Sequence, residues 1–153
     1  MQVPMADLRL DTAALIEALL EARYANDFQL MLAGFAAESR LRFVGNSNCE
    51  PFAGDWSGHA GIVEGLDRLR QAFAFEDFAI DDVLVDRDRA AVRYTVLVRC
   101  RATGAEFELE VMAHIVLRGS LIVSMTEFAD TRLFSPHVRA NDDFPLQAGR
   151  PAA

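Results

Sequence analysis

One carboxylate in this chain is placed where chemistry could be done. Glu127 lies in the stretch "SLIVSMTEFAD", residues 120–130, whose alternation is that of a β-strand. Strand phase groups it with Leu121, Val123, Met125 and Ala129 on an apolar face. A carboxylate there is costly unless hydrogen-bonded, and a desolvated carboxylate is a proton carrier of the kind acid–base catalysis uses. Which way that face looks depends on the preceding turn. A three-residue loop, Arg118 to Ser120, sets Glu127 opposite Val111 and toward a pocket. A two-residue Gly119–Ser120 turn sets it near Met112, on the back of the sheet.

Tyr94 has the inward phase of its own strand, with Val92, Val96, Val98 and Cys100. Its phenol is placed to donate to a ligand carbonyl or to Glu127, or else to pack in the core with its hydroxyl satisfied locally. The histidines are weaker candidates. His114 has the phase opposite to Ala113 and is expected on the back of the sheet. His59 opens a helix near the expected pocket mouth. Trp56, with Phe52, is expected to close one wall. Arg93, Arg99 and Arg101 recur at period two and are expected to pair with Glu106, Glu108 and Glu110 as a solvated ladder. The three histidines have no metal-ligand spacing, and nucleophile-elbow, phosphate-loop and dinucleotide motifs are absent. Neither a metal nor a cofactor is implied.

The elements that must position these residues read in two halves. Asp11 is expected to cap a helix over "TAALIEALLEARY", and Asn26–Asp27 to restart the chain into a second helix, "FQLMLAGFA", with Phe28, Leu32 and Phe35 on one face. "RLRFVG" reads as a half-buried strand and "GNSN" as a turn. A third helix follows Ser57, with Ile62, Leu66, Leu69 and Phe73 in its stripe. Gly65 weakens that helix unless something packs closely against it. From Phe78 the period becomes two, giving antiparallel hairpins joined at "DRDR", "TG" and "RGS". The expectation is an α+β domain: three N-terminal helices packed on a curved antiparallel sheet. It divides into an extension (1–10), the domain (11–131) and a loose tail (132–153).

Within "EFELEVMAHIVL" both faces turn apolar after Glu110, because Met112 and Val116 join the inward residues. Such a strand needs cover on both sides. A second copy, meeting the back of the sheet at Met112, His114 and Val116, is the favoured cover over the tail.

Bulk composition agrees with one domain. The 153 residues are 52% hydrophobic, and 23 acidic against 15 basic residues give a net charge of −8. That sign disfavours nucleic acid and anionic membranes as partners. No stretch reaches membrane-span length or reads as a signal peptide, and Cys49 and Cys100 read as buried free thiols. A cytoplasmic protein is expected.

The order of elements, with "ALLEARYANDFQLMLAGFA", "WSGHAGI", "VLVDRDRAAVRYTV" and the closing "FAD", resembles the nuclear transport factor 2-like superfamily over residues 11–131. This group holds ketosteroid isomerases, SnoaL-like cyclases and limonene epoxide hydrolases. The resemblance implies a cone-shaped fold, an apolar pocket and a homodimer through the back of the sheet. It also implies that Glu127 faces the pocket. The isomerase base, tyrosine and acid positions fall on Phe43, Leu19 and Ala113, all apolar. Of the epoxide hydrolase set, two positions fall near Tyr94 and Val96, and the last aspartate falls on Glu127. Neither standard catalytic set is retained. The resulting expectation is a pocket for a small hydrophobic ligand, lined by Leu19, Phe43, Trp56, His59, Leu66, Val96, Ala113, Met125 and Ala129. Glu127 and Tyr94 would run any cofactor-independent isomerase, cyclase or hydrolase chemistry. The alternative is a non-catalytic homodimeric module.

Overall fold

The computed structural model describes residues 5–140, with side chains from residue 9 onward. In chain order the elements are α1 (Met5–Tyr24), α2 (Phe28–Leu32), β1 (Phe35–Phe43), β2 (Gly54–Ser57), α3 (Gly58–Ala72), β3 (Phe73–Asp86), β4 (Arg89–Cys100), β5 (Glu106–Arg118), β6 (Leu121–Ala129) and α4 (Thr131–Ala140). Six strands form one sheet in the order β2-β1-β6-β5-β4-β3.

The helices differ from expectation at their ends. α1 begins at Met5, so Asp11 lies inside it and residues 5–10 are helix rather than an extension. "MADLRL" has no Gly or Pro, and its Met, Ala, Leu and Arg are good helix formers, so nothing local stops the helix earlier. Asn26 takes a left-handed φ of 59°, and Asp27 restarts the chain by accepting from Leu30 N at 3.0 Å. α2 stops at Leu32 instead of continuing through Phe35. The reason is tertiary: Gly34 O accepts from Ile122 N at 2.9 Å, and Phe35 pairs with Ile122 as β1 enters the sheet.

Only α1 and α2 precede the first strand. α3 lies between β2 and β3, and α4 follows the last strand, so the three helices are not all N-terminal. Ser57 stands at the α3 N-cap position without a side-chain cap bond. Ile62, Leu66 and Leu69 are buried as the stripe predicts, whereas Phe73 opens β3. The close neighbour of Gly65 is the indole of Trp56: a Cβ on Gly65 would lie 2.1 Å from Trp56 Cδ2.

The sheet is not wholly antiparallel, because β1 runs parallel to β6. This pairing brings the two halves of the chain together, and a turn-linked meander could not supply it. Bulges in β3, after Glu76 and after Ile80, bend the sheet's edge. Ile16, Leu19 and Leu20 of α1 and Ile62, Leu66 and Leu69 of α3 are buried together with Val92, Val96, Leu109 and Ile115 of the sheet.

Residues 131–140 of the expected tail form α4, with Phe134 and Val138 buried; residues 141–153 lie outside the described residues. Their buried spacing, i and i+4, puts both side chains on one helical stripe. The charge ladder is partial. Arg93 reaches Glu110 at 3.3 Å, but Arg99 crosses to Glu76 on β3 at 2.5 Å, and Arg101 Nε donates to Arg70 O at 2.9 Å. On the back of the sheet Met112, His114 and Phe128 are exposed and Val116 is half-buried.

Candidate functional site

The β5–β6 hairpin decides where Glu127 points. Arg118 pairs with Leu121, so the turn is the two-residue Gly119–Ser120 one. Gly119 has φ 62°, which suits the first position of a tight hairpin turn. With that turn alone, Glu127 would oppose Met112 on the back. The register then shifts by one residue between Val116 and Leu117, leaving Val123 unpaired, and Glu127 comes to lie opposite Ala113. A one-residue bulge reverses strand phase. Glu127 therefore faces inward as expected, but through a different turn and register. It is only 2% exposed.

Inside, Glu127 is not a lone carboxylate. Arg23, in the last turn of α1, meets it with both terminal nitrogens. Nη2 donates to Oε2 at 3.0 Å, and Nη1 donates to Oε1 in a closer contact. Tyr94 Oη donates to the same Oε1 at 2.9 Å, and Tyr24 Oη donates to Tyr94 Oη at 3.0 Å. The four side chains form one connected chain, Arg23–Glu127–Tyr94–Tyr24. The rings of Tyr24 and Tyr94 meet edge to face at 5.8 Å, and the Arg23 guanidinium sits 5.3 Å from the Tyr24 ring centre.

The electrostatics follow from burial and these partners. Burial is the largest influence and works against the Arg23 charge, but Glu127, Tyr24 and Tyr94 together outweigh it, and Arg23 is held protonated above its usual range. Burial pushes the Tyr24 phenol up to about 12. Tyr94 is raised well above the ordinary phenol value, first by burial and then by the adjacent Glu127 charge. Both phenols are therefore neutral donors at physiological pH. Tyr94 spends its proton on Glu127 and Tyr24 spends its own on Tyr94, so Tyr24 Oη ends the chain with acceptor capacity left.

Arg23, Tyr24, Tyr94 and Glu127 open onto a cavity of about 20 Å³, room for about one water. Its apolar walls include Phe43, Phe75, Val96, Leu109, Val111 and Phe134. A smaller outer cavity, of about 10 Å³, shares Arg23, Tyr24, Leu69 and Phe75 with it and adds Asn26, Phe28, Leu66 and Arg70.

Of the expected pocket residues, Phe43 and Val96 line the inner cavity with Glu127 and Tyr94, and Leu66 lines the outer one. Leu19, Ala113 and Met125 are buried in the core without lining either, and Ala129 and Trp56 are half-buried away from both. Trp56 is occupied by Gly65. His59 also stands apart: its Nε2 donates to Phe35 O at 3.0 Å, a structural bond to the start of β1. His114 is exposed on the back of the sheet, as its phase requires.

Arg23 and Tyr24 are the site residues that strand phase could not find. A signal for Arg23 was present, since Ile16, Leu19, Leu20 and Arg23 follow i, i+3, i+4, i+7 spacing. The apolar stripe of α1 thus ends on an arginine, which has to meet an acid.

The fold and this geometry define a class of protein that the comparisons name. Residues 16–125 match the model of the SnoaL-like domain, and the chain belongs to that family. Among solved structures it is similar to an NTF2-like protein from Burkholderia xenovorans LB400, at 20% identity over 85% of this chain and 97% of that one, with a TM-score of 0.71. TerC, co-crystallised with polyporic acid, is 20% identical over 84% of this chain and 98% of its own, with a TM-score of 0.76. A protein of ketosteroid isomerase-like fold from Catenulispora acidiphila DSM 44928, in complex with trimethylamine, is 13% identical over 74% of this chain and 82% of its own, with a TM-score of 0.64. At these identities the likeness is one of fold. None of the curated proteins matches the chain.

Proposed function

We propose that this protein binds a small, mainly apolar molecule in the hollow between its helices and sheet, with an oxygen of that molecule held by Tyr24 and Arg23. The observation that carries this reading is the convergence of Arg23, Glu127, Tyr94 and Tyr24 at one end of a cavity whose other walls are apolar. A few convergent polar groups in an apolar setting are the general form of a small-molecule site. That TerC holds polyporic acid and the Catenulispora protein holds trimethylamine accords with ligand binding on this fold.

The roles differ from those of a lone acid. Ion-paired to Arg23, Glu127 acts as the fixed acceptor that orients Tyr94. Tyr94 in turn orients Tyr24, the group that meets the ligand. Any isomerase, cyclase or hydrolase step at this site would require Tyr24 to give up its bond to Tyr94 and turn its proton to a ligand oxygen. No cofactor enters this reading. The test is a fluorescence titration of the protein and its Tyr24→Phe variant with 2-naphthol and with naphthalene. The protein should prefer 2-naphthol, and Tyr24→Phe should remove the preference. Equal affinity for the two probes in the unaltered protein would refute the reading.

A second reading, a non-catalytic homodimeric module, is favoured by the near-complete filling of the cavity, about 20 Å³. Dimerisation belongs to both readings. Met112 and Phe128 are direct cross-strand neighbours, at 45% and 49% exposure. With His114 and Val116 they give the back of the sheet an apolar face that a second copy would cover. Cys49 and Cys100 are buried and, among the described residues, in no disulfide, which accords with a reducing, cytoplasmic setting. Among the described residues no helix is long and apolar enough to cross a membrane.

A further inference from the structure

The ring that closes the inner cavity comes from the C-terminal helix. Phe134 of α4 lies among four other rings, with centroids at 5.7 Å to Phe43, 6.3 Å to Phe52, 4.9 Å to Phe73 and 6.4 Å to Phe107. The ring planes meet at 59°, 84°, 39° and 65°, the tilted and edge-to-face arrangements that aromatic rings prefer. Phe134 is 1% exposed and shares the cavity wall with Arg23, Tyr24, Tyr94 and Glu127.

The element that carries this ring is the helix that follows the last strand. Of the ten residues of α4, Phe134 and Val138 are buried. His137 stacks on Phe107 at 4.4 Å. The thiols of Cys49 and Cys100 approach Thr131 O and His137 O, each at 3.9 Å, as weak donors. Pro136 lies inside the helix and deprives it of one backbone hydrogen bond. The junction with β6 is Asp130, whose Oδ1 accepts from Arg132 N at 3.0 Å and Leu133 N at 3.1 Å. α4 thus begins as a self-contained capped turn at the end of the sheet.

We propose that Phe134 is a built-in occupant of an aromatic subsite, and that the ligand is a planar aromatic molecule whose ring takes its place while its oxygen reaches Tyr24 and Arg23. The proposal rests on the ligand-binding reading above and names the ligand class. With Phe134 in place the cavity admits about one water, so a ligand of ring size enters only by displacing a wall. Phe134 is the wall residue carried by α4, the helix that follows the last strand. Phe43, Phe52, Phe73 and Phe107 would give an incoming ring the contacts they now give Phe134. An unbranched aliphatic chain of similar volume gains none of the edge-to-face attraction, so the subsite selects rings.

The test uses the full chain and 2-naphthol as the probe, followed by fluorescence titration. Phe134→Ala removes the competing ring, and 2-naphthol should bind at least tenfold tighter than to the unaltered protein. An affinity within twofold of the unaltered protein, in a folded variant, would overturn the proposal. Should Phe134→Ala fail to fold, Phe134→Leu and hydrogen exchange on the unaltered protein decide the matter. The α4 amides should exchange faster when 2-naphthol is bound; protection or no change would count against displacement. Combining Phe134→Ala with Tyr24→Phe separates the two readings. Tight binding that ignores Tyr24 keeps the aromatic subsite and removes the polar one. If Phe134→Ala brings no gain while Tyr24→Phe still weakens binding, the polar reading survives and the subsite does not.

Discussion

Arg23 and Glu127, 104 residues apart in the chain, form a two-point ion pair in the core, with side chains only 7% and 2% exposed. Removing one partner from such a pair leaves the other charge buried without compensation, at a cost of about 3–5 kcal/mol. Glu127→Gln and Arg23→Met should each lose stability on that order in urea unfolding. The double variant Arg23→Met/Glu127→Gln should lose clearly less than the two single losses together, because no orphan charge remains. Strict additivity would mean that the pair is not coupled.

The protein's only two tyrosines, Tyr24 and Tyr94, are both in the site, so phenol ionisation reads the site directly. With Tyr24 pushed up to about 12 and Tyr94 also raised, neither should titrate near the usual value of about 10. Above that pH the unfolded chain gives up its phenol protons while the folded chain retains them. The unfolded state then binds fewer protons, so stability is intact below about pH 10 and falls toward about pH 12. Absorbance at 295 nm should show no phase in the native protein near pH 10, and tyrosinate should appear together with unfolding. A native-state phase there would show an accessible phenol.

Gly65→Ala should destabilise despite the better helix propensity of alanine. The added Cβ would fall 2.1, 2.3 and 2.6 Å from Trp56 Cδ2, Cε2 and Cε3. Propensity favours alanine by about 1 kcal/mol, whereas forcing a packed ring aside costs about 1–3 kcal/mol. A net loss in thermal unfolding is expected, with a change in the emission of the single tryptophan. In a Trp56→Leu background the same substitution should be neutral or stabilising.

Phe128→Glu tests the back of the sheet. The unaltered protein is expected at twice its chain mass by light scattering at micromolar concentration, and the variant at one chain mass, with the circular dichroism of the two alike. A monomeric unaltered protein would dispose of the dimer.

Much of this architecture was legible from periodicity, because burial acts on each element separately. The α3 stripe of Ile62, Leu66 and Leu69 and the β4 phase of Val92, Tyr94 and Val96 could be read directly. So could the inward position of Tyr94, which in the structure reaches Glu127 at 2.9 Å. Element ends were less legible: α2 yields to β1 at Gly34 because Ile122 claims its carbonyl, a contact no local window contains. α4 was missed because two buried residues in ten make a faint stripe.

The amino-acid order was enough to establish an α+β domain with one acidic side chain on an otherwise apolar strand face. Burial of apolar residues is local and periodic, and it leaves its mark on neighbouring positions. The partner of that acid was a matter for tertiary structure. An ion pair across 104 residues depends on the parallel pairing of β1 with β6 and on the end of α1 arriving over the sheet. The direction of Glu127 depended on a single unpaired residue, Val123, because in a strand one residue of slip exchanges the two faces.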